Sequence, residues 1–275
     1  MRCLGLLFGF ALAVFPAGPL AVVSPAIEQN EGGSPLPPSF EHVPGEVLFF
    51  SFQVQGFQIS TDQKIKLHYK VDVFDPLGVR IMETVQAPIE AELAPQDKEW
   101  KPKVRHEIPT PPLGLSGTYK IAVEVTDDLA HATATRDVPF LVRGRNVAPS
   151  ETLVIRDFRF YASEEASETL PKAAYRPGEA VWARFDITGY KLGPGNKVDV
   201  AYGIAVLNSA GKQLWAQPEA AVERSESFYP KRYVPGSMSL NLQPNIRAGE
   251  YAIVVTARDA IGNQTCEAKG TFTVQ

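Results

Sequence analysis

With 275 residues, 44% of them hydrophobic and 21% charged, the chain has room for two ordinary domains and too much apolar content to stay disordered. A formal net charge of −4 leaves no basic excess, so nucleic acid is not an expected partner. Two cysteines, Cys3 and Cys266, are too few for a disulfide-stapled scaffold.

The chain opens on a predicted secretion signal. Arg2 supplies a positive residue, "LGLLFGFALAVF" from Leu4 to Phe15 an apolar run, and Ala13, Ala17, Gly18 and Ala21 the small residues near its end. The run is too short to span a bilayer, and Pro16 and Pro19 end it. Residues 1–18 are therefore expected to leave on export, taking Cys3 with them. Cys3 lies before the apolar run, which argues against a lipid anchor. The mature chain is expected in the periplasm or outside the cell, with no transmembrane anchor.

Residues 19–143 read as a first domain of strands. "KIKLHYKVDV" from Lys64 alternates Ile65, Leu67, Tyr69, Val71 and Val73 with polar residues, and "TYKIAVEV" alternates Tyr119, Ile121, Val123 and Val125 in the same way. Turn signals stand at "DPLG" (Asp75) and at Asp127-Asp128. A short polar linker, residues 144–150, leads into a second domain, residues 151–275, where the same landmarks return. Pro44-Gly45-Glu46 recurs as Pro177-Gly178-Glu179 (179 − 46 = 133), "DPLG" as "NSAG" at Asn208 (208 − 75 = 133), and Tyr119 as Tyr251 (251 − 119 = 132). One residue is lost between Gly78 and Gly117. A register kept over so many landmarks marks a tandem duplication, with a period long enough for each copy to bury its own core. The same register matches "LVIRDFRF" at Leu153 to Leu20, so it predicts a first strand there. Signal cleavage is then expected before Leu20, after Ala17 or Gly18. A cut after Ala26 is the alternative.

Little helix is expected, even in "VERSESFYPKRY". Several short antiparallel strands in roughly 110–125 residues indicate a two-sheet sandwich. The fold class expected is all-β: two tandem immunoglobulin-like antiparallel β-sandwich domains after a signal peptide. "GTYKI" and "GEYAI" place a tyrosine near the start of the sixth strand, where that fold returns the hydroxyl to nearby backbone. Ile121 and Ile253 stand where a cysteine often sits. The chain resembles bacterial immunoglobulin-like or fibronectin-type-III-like repeats, whose closing strands often read G-x-Y-x-V-x-V followed by D-x-x-G-N. "GEYAIVVTARDAIGN" carries that ending, whereas the first copy has "DDLAH" in place of the glycine turn. The resemblance implies fold more than activity.

Candidate chemistry is sparse. No nucleophile elbow, zinc-protease helix motif or glycine-rich phosphate loop is present, so no enzyme activity, cofactor or metal site is expected. His42, His68, His106 and His131 show no metal-ligand spacing and read as surface histidines. Asp127, Asp128 and Asp259 sit in matching turns, and "SEEASE" from Ser163 adds an acidic loop. Solvated turns compete there with a calcium site, which needs six or more oxygens. Cys266 shares a predicted inward face with Ala268, Gly270 and Phe272, so it reads as a small buried apolar side chain. Trp215 is expected in a core or between the domains.

The candidate ligand or partner surface consists of two aromatic and basic segments in corresponding regions. "EWKPKVRHE" carries Trp100, Lys101, Lys103 and Arg105, and "SFYPKRYVP" carries Phe228, Tyr229, Lys231, Arg232 and Tyr233. Such aromatics stack on sugar rings or anchor a protein partner, or else they cover the core at a loop crossing. The function expected is an exported non-catalytic structural or interaction protein. Its partner would be a protein or a polysaccharide at the cell surface or in the periplasm. A carbohydrate-binding or adhesive module and a periplasmic chaperone working by strand addition are the alternatives.

Overall fold

A computed structural model describes residues 18–94, 96–97 and 99–275. Apart from Gly18, the expected signal peptide lies outside the described residues. The first half contains β1 (Ala21–Glu28), β2 (Glu41–His42), β3 (Val47–Gln55), β4 (Lys64–Phe74), β5 (Val85–Glu92), β6 (Lys103–Pro109), β7 (Gly117–Asp127) and β8 (Ala132–Val142). These form two sheets, β1-β3-β6 and β2-β8-β7-β4-β5. All pairings are antiparallel except the short β2, which runs parallel to β8.

The second half repeats the plan with β9 (Val154–Tyr161), β10 (Ala174–Tyr175), β11 (Ala180–Thr188), β12 (Val198–Asn208), β13 (Gln213–Ser225), β14 (Tyr233–Asn241), β15 (Gly249–Asp259) and β16 (Gln264–Val274). Its sheets are β9-β11-β14 and β10-β16-β15-β12-β13, again with only the short strand parallel. Each half therefore pairs a three-stranded with a five-stranded sheet around its own apolar core. Among the described residues a single 3-10 turn, Pro194–Asn196, stands between the strands.

The period-two residues read from the sequence build the two cores. Ile65, Leu67, Val71 and Val73 of β4 and Ile121, Val123 and Val125 of β7 are buried against Phe50, Phe52 and Val54 of β3. The second core repeats this with Val198 and Val200, Ile253 and Val255, and Val181, Phe185 and Ile187. Ile121 and Ile253 are fully buried. The two sheets are thus clamped by apolar burial where an immunoglobulin domain often carries a disulfide, each large side chain contributing about 1.5–3 kcal/mol. The tyrosines close the corner: Tyr119 Oη donates to the Leu115 carbonyl (3.1 Å) and Tyr251 Oη to the Arg247 carbonyl (2.8 Å).

Backbone conformation repeats as faithfully as side chains. The non-glycine residues at positive φ form matched pairs: Ser24 with Asp157, Gln63 with Asn196, and His131 with Asn263. His131 therefore adopts the left-handed turn that Asn263 adopts in "DAIGN", although the first copy lacks the glycine turn. Ser24 and Asp157 sit at the register shifts of β1 on β3 and of β9 on β11, so both first strands carry the same bulge. Gly56 (φ +75) and Gly189 (φ +76) show why that corner takes no side chain. A Cβ there would lie 2.2 Å from the Pro19 carbonyl oxygen or 2.0 Å from that of Thr152. Strand β1 begins at Ala21 and β9 at Val154, again 133 apart, and a cut after Ala26 would remove most of β1.

Candidate functional site

The loops that could carry function are fixed by buried carboxylates. Asp127 is fully buried: Oδ1 accepts from the N–H groups of Leu129 (2.9 Å) and Ala130 (3.1 Å), and Oδ2 from that of Gln58 (2.6 Å). Asp259 repeats this with Ile261 and Gly262 (both 3.0 Å) and Lys191 (2.9 Å). Each aspartate thus ties the β-hairpin turn to the loop after the second long strand. Among the described residues no group of three or more His, Cys, Asp or Glu side chains is placed to hold a metal ion. Arg184 donates to the Ala166 carbonyl (2.9 Å) and to that of Glu164, so the acidic "SEEASE" loop is held by its backbone.

The most constrained polar cluster lies between the two sandwiches. Asp75, in the turn after β4, has a fully buried side chain. Its Oδ1 caps its own turn, accepting from the N–H groups of Leu77 and Val79 (both 2.8 Å). Its Oδ2 accepts from Tyr229 Oη (2.9 Å) and Arg232 Nη2 (3.0 Å), both in the loop preceding β14. Tyr229 joins the first domain's core, and burial pushes its phenol pKa upward. Phe228 receives the Arg80 guanidinium at 5.9 Å from its ring centre.

The loop is shaped by its own domain before it meets the other. Asn196 Nδ2 donates to the Phe228 carbonyl (2.6 Å), Tyr190 Oη to the Lys231 carbonyl (2.8 Å) and Ser227 Oγ to the Tyr229 carbonyl (2.7 Å). Beside Tyr229 runs a groove of about 390 Å³, lined by Ile81, Pro109, Pro111 and Leu113 on one side and by Ser227 and Lys231 on the other.

The linker adds a second tie. Arg145 pairs with the fully buried carboxylate of Asp186 on β11 and lies 5.7 Å from the centre of the Tyr233 ring. Asn146 Oδ1 accepts from the Ser116 N–H (3.0 Å) on the other domain. Burial raises the Asp186 pKa, and the Arg145 charge opposes that shift. Beyond Arg145 a cleft of about 580 Å³ opens on the outer face of β9-β11-β14, with Asp157, Arg159 and Arg184 among its walls.

The two predicted aromatic segments do not form one surface. Tyr229 and Tyr233 are 8% and 3% exposed, Lys231 pairs with Glu223 (2.5 Å), and Arg232 reaches Asp75. Through Tyr229 this segment plugs the first domain, while Phe228 stays 45% exposed. The other segment stands at the far end: Trp100 is 41% exposed, Lys101 and Arg105 are exposed, and Lys103 bonds Glu28 (2.7 Å). The loop bearing Trp100 follows Leu93, whose N–H bonds Gln63 just before β4, whereas Asp75 follows the last residue of β4. An eleven-residue strand separates these ends by about 35 Å.

Two expectations are corrected. Trp215 is 44% exposed and its neighbour Leu214 51%, on β13, the edge strand of its sheet. His42 is buried between Phe40 (4.9 Å) and Phe140 (6.1 Å), and His106 is half-buried against Tyr69 (5.4 Å). His68 is exposed and pairs with Asp128 at 3.0 Å.

Cys266 is half-buried opposite Ala257 on β15, and burial raises its thiol pKa. Native-state labelling by a thiol reagent at neutral pH is therefore expected to run at least tenfold slower than labelling of the unfolded chain. Equal rates would mean an open, reactive thiol.

Sequence reasoning missed Asp75, Arg145 and Asp186. The only signal for Asp75 was that its matched turn carries Asn208 instead.

No family model and no curated protein matches the chain. Among solved structures it is similar to the C-terminal domain of the Streptococcus agalactiae antigen I/II polypeptide BspA, at 9% identity and a TM-score of 0.33, over 94% of this chain and 100% of that one. It is likewise similar to the C-terminal domain of the Streptococcus pyogenes antigen I/II-family protein AspA, at 9% identity and a TM-score of 0.34, over 93% and 99%. A family 123 glycoside hydrolase from Clostridium perfringens is similar at 11% identity and a TM-score of 0.31, over 45% of this chain and 27% of that one.

Proposed function

We propose that the chain is an exported, non-catalytic structural and interaction module in which two duplicated immunoglobulin-like domains, residues 19–143 and 151–275, act as one stiff body. The observation that carries this reading is the Asp75–Tyr229–Arg232 cluster. A buried carboxylate of one domain is satisfied by donors of the other, so bending at the linker would strand a charge in a low-dielectric site. The remaining buried carboxylates support a structural role as well. Asp127, Asp259 and Glu28 are occupied by backbone and side-chain donors that hold turns and strands together. An export leader and partners at the cell surface or in the periplasm belong to the same reading.

Nuclear relaxation of the backbone amides is the direct test. Both domains should report a single rotational correlation time, that of the whole chain. Independent tumbling of the two halves would refute the stiff-body reading.

A second reading, carbohydrate binding at Trp100, draws on the exposure of that indole. It predicts a shift of tryptophan fluorescence with a polysaccharide, lost in Trp100→Ala.

A further inference from the structure

The contact between the two domains has a donor face and an acceptor face, and duplication has copied both. The acceptor face of the first domain is the turn at Asp75, followed by Ile81. Ile81 is only 5% exposed and lines the groove beside Tyr229. In the second domain the same positions are Asn208 and Leu214 (208 − 75 = 214 − 81 = 133), and Leu214 and Trp215 are exposed. The donor face of the second domain is the loop before β14, ending in Arg232. The ladders set the register of its counterpart: Ala180 pairs with Asn241 as Val47 pairs with Pro109, and Asp186 with Pro235 as Gln53 with Lys103, an offset of 132 that, carried three residues beyond the ladder, places Trp100 at the position of Arg232. Trp100 is exposed too. One chain thus carries a closed contact in its middle and the two complementary halves of the same contact, open, at its ends.

The open halves differ from the closed one in a correlated way. In the closed contact an anionic acceptor, Asp75, meets a cation, Arg232. At the open faces both charges are absent together, with an amide at 208 and an indole at 100. Asn208 Oδ1 caps its turn through the N–H groups of Ala210 (3.1 Å) and Lys212 (2.9 Å), as Asp75 Oδ1 does. The atom facing outward in place of the second carboxylate oxygen is then Nδ2, a donor. An N–H donor repels a guanidinium and donates to the electron-rich face of an indole. Leu214 and Trp215 supply apolar area beside it.

We infer that the protein associates head to tail with a second copy of itself, Trp100 of one chain seating on the Asn208–Leu214–Trp215 face of the next. Such a contact is heterologous, so each added chain presents a fresh open face and assembly continues into rows. It rests on the stacked-domain reading proposed above, and it extends the packing within one chain to packing between chains. Inside the chain the linker holds the closed contact at an effective concentration on the order of millimolar, so an untethered contact of comparable strength should appear at or below that concentration.

Sedimentation equilibrium of the full mature chain tests this. The average mass should rise with concentration past that of a dimer. Trp100→Ser and Leu214→Glu, both at exposed positions, should each stay monomeric with an unchanged melting temperature and circular dichroism. An equimolar mixture of the two variants should form a dimer and stop there, since only one open pair of faces remains. A wild-type chain that stays monomeric at about millimolar concentration, a mixture that does not dimerise, or a Trp100→Ser variant that dimerises alone would each overturn the inference. A single correlation time measured on dilute chain would still uphold the stiff-body reading in all three cases.

Discussion

Replacing Asp75 with asparagine is expected to cost about 2–3 kcal/mol and to separate one cooperative melting transition into two. The substitution isolates the contact between the domains. Asn208 shows that an amide oxygen still caps this turn, so the bonds to Leu77 and Val79 should survive. What goes is the negative charge that meets Arg232 and the acceptor that meets Tyr229. The Arg232 side chain is 29% exposed, so some of its lost pairing is recovered from water, and the cost falls below that of a fully buried pair. Arg232→Met in the Asp75→Asn background should recover part of the loss, because no unpaired cation then remains. Differential scanning calorimetry reads both effects. A single sharp transition at the wild-type temperature in Asp75→Asn would mean that the cluster does not couple the domains.

The same cluster shows what a sequence carries and what it withholds. Period-two alternation, the paired tyrosines and the 133-residue register are local or repeated signals, and they placed the strands, the two cores and the corner bonds. Tyr229 and Arg232 stood out in the sequence for the right chemistry, aromatic and basic groups on stiff backbone. Their acceptor lies 154 and 157 residues away, and no window contains both. Exposed binding loops and domain plugs share that composition, since both must bury an aromatic ring at low entropic cost. Trp215 was misplaced for a related reason. Whether another sheet covers a residue depends on strand order, which no local stretch around Trp215 carries, and β13 is at the edge. His42 was misplaced because two isolated residues of β2 carry no periodicity to read. The duplication itself supplied more than either copy alone: the one-letter difference between Asp75 and Asn208 marks which acceptor face is closed.

Acid should destabilise the first domain through one carboxylate above the others. Glu28, at the end of β1, is 4% exposed and accepts from Lys103 Nζ (2.7 Å), Ser51 Oγ (2.7 Å) and the Gly32 N–H (2.9 Å). The bond from Lys103, then that from Ser51, lowers its pKa from 4.5 to about 2, outweighing the cost of burial. A carboxylate whose folded pKa is depressed stabilises the fold fully above its unfolded value and loses that contribution as pH falls toward the folded one. The window therefore runs from about 4.5 down to about 2. The shift corresponds to about 2–3 kcal/mol once the partly exposed Lys103 is allowed for. Asp72 and Glu223 are lowered as well and act with the same sign. Asp186, raised by burial, acts oppositely: holding it ionised costs stability at neutral pH, and protonation relieves that cost. Glu28→Gln should therefore lower stability by about 2–3 kcal/mol at pH 7, flatten the acid limb, and meet the wild-type curve near pH 2. The second copy has no carboxylate at this position: Tyr161 and Arg184 stand where Glu28 and Ser51 do (161 − 28 = 184 − 51 = 133), with the guanidinium 4.3 Å from the centre of the ring. Urea titrations between pH 2 and 7 measure the convergence. Curves for Glu28→Gln and wild type that run parallel across that range would assign the acid limb to other groups.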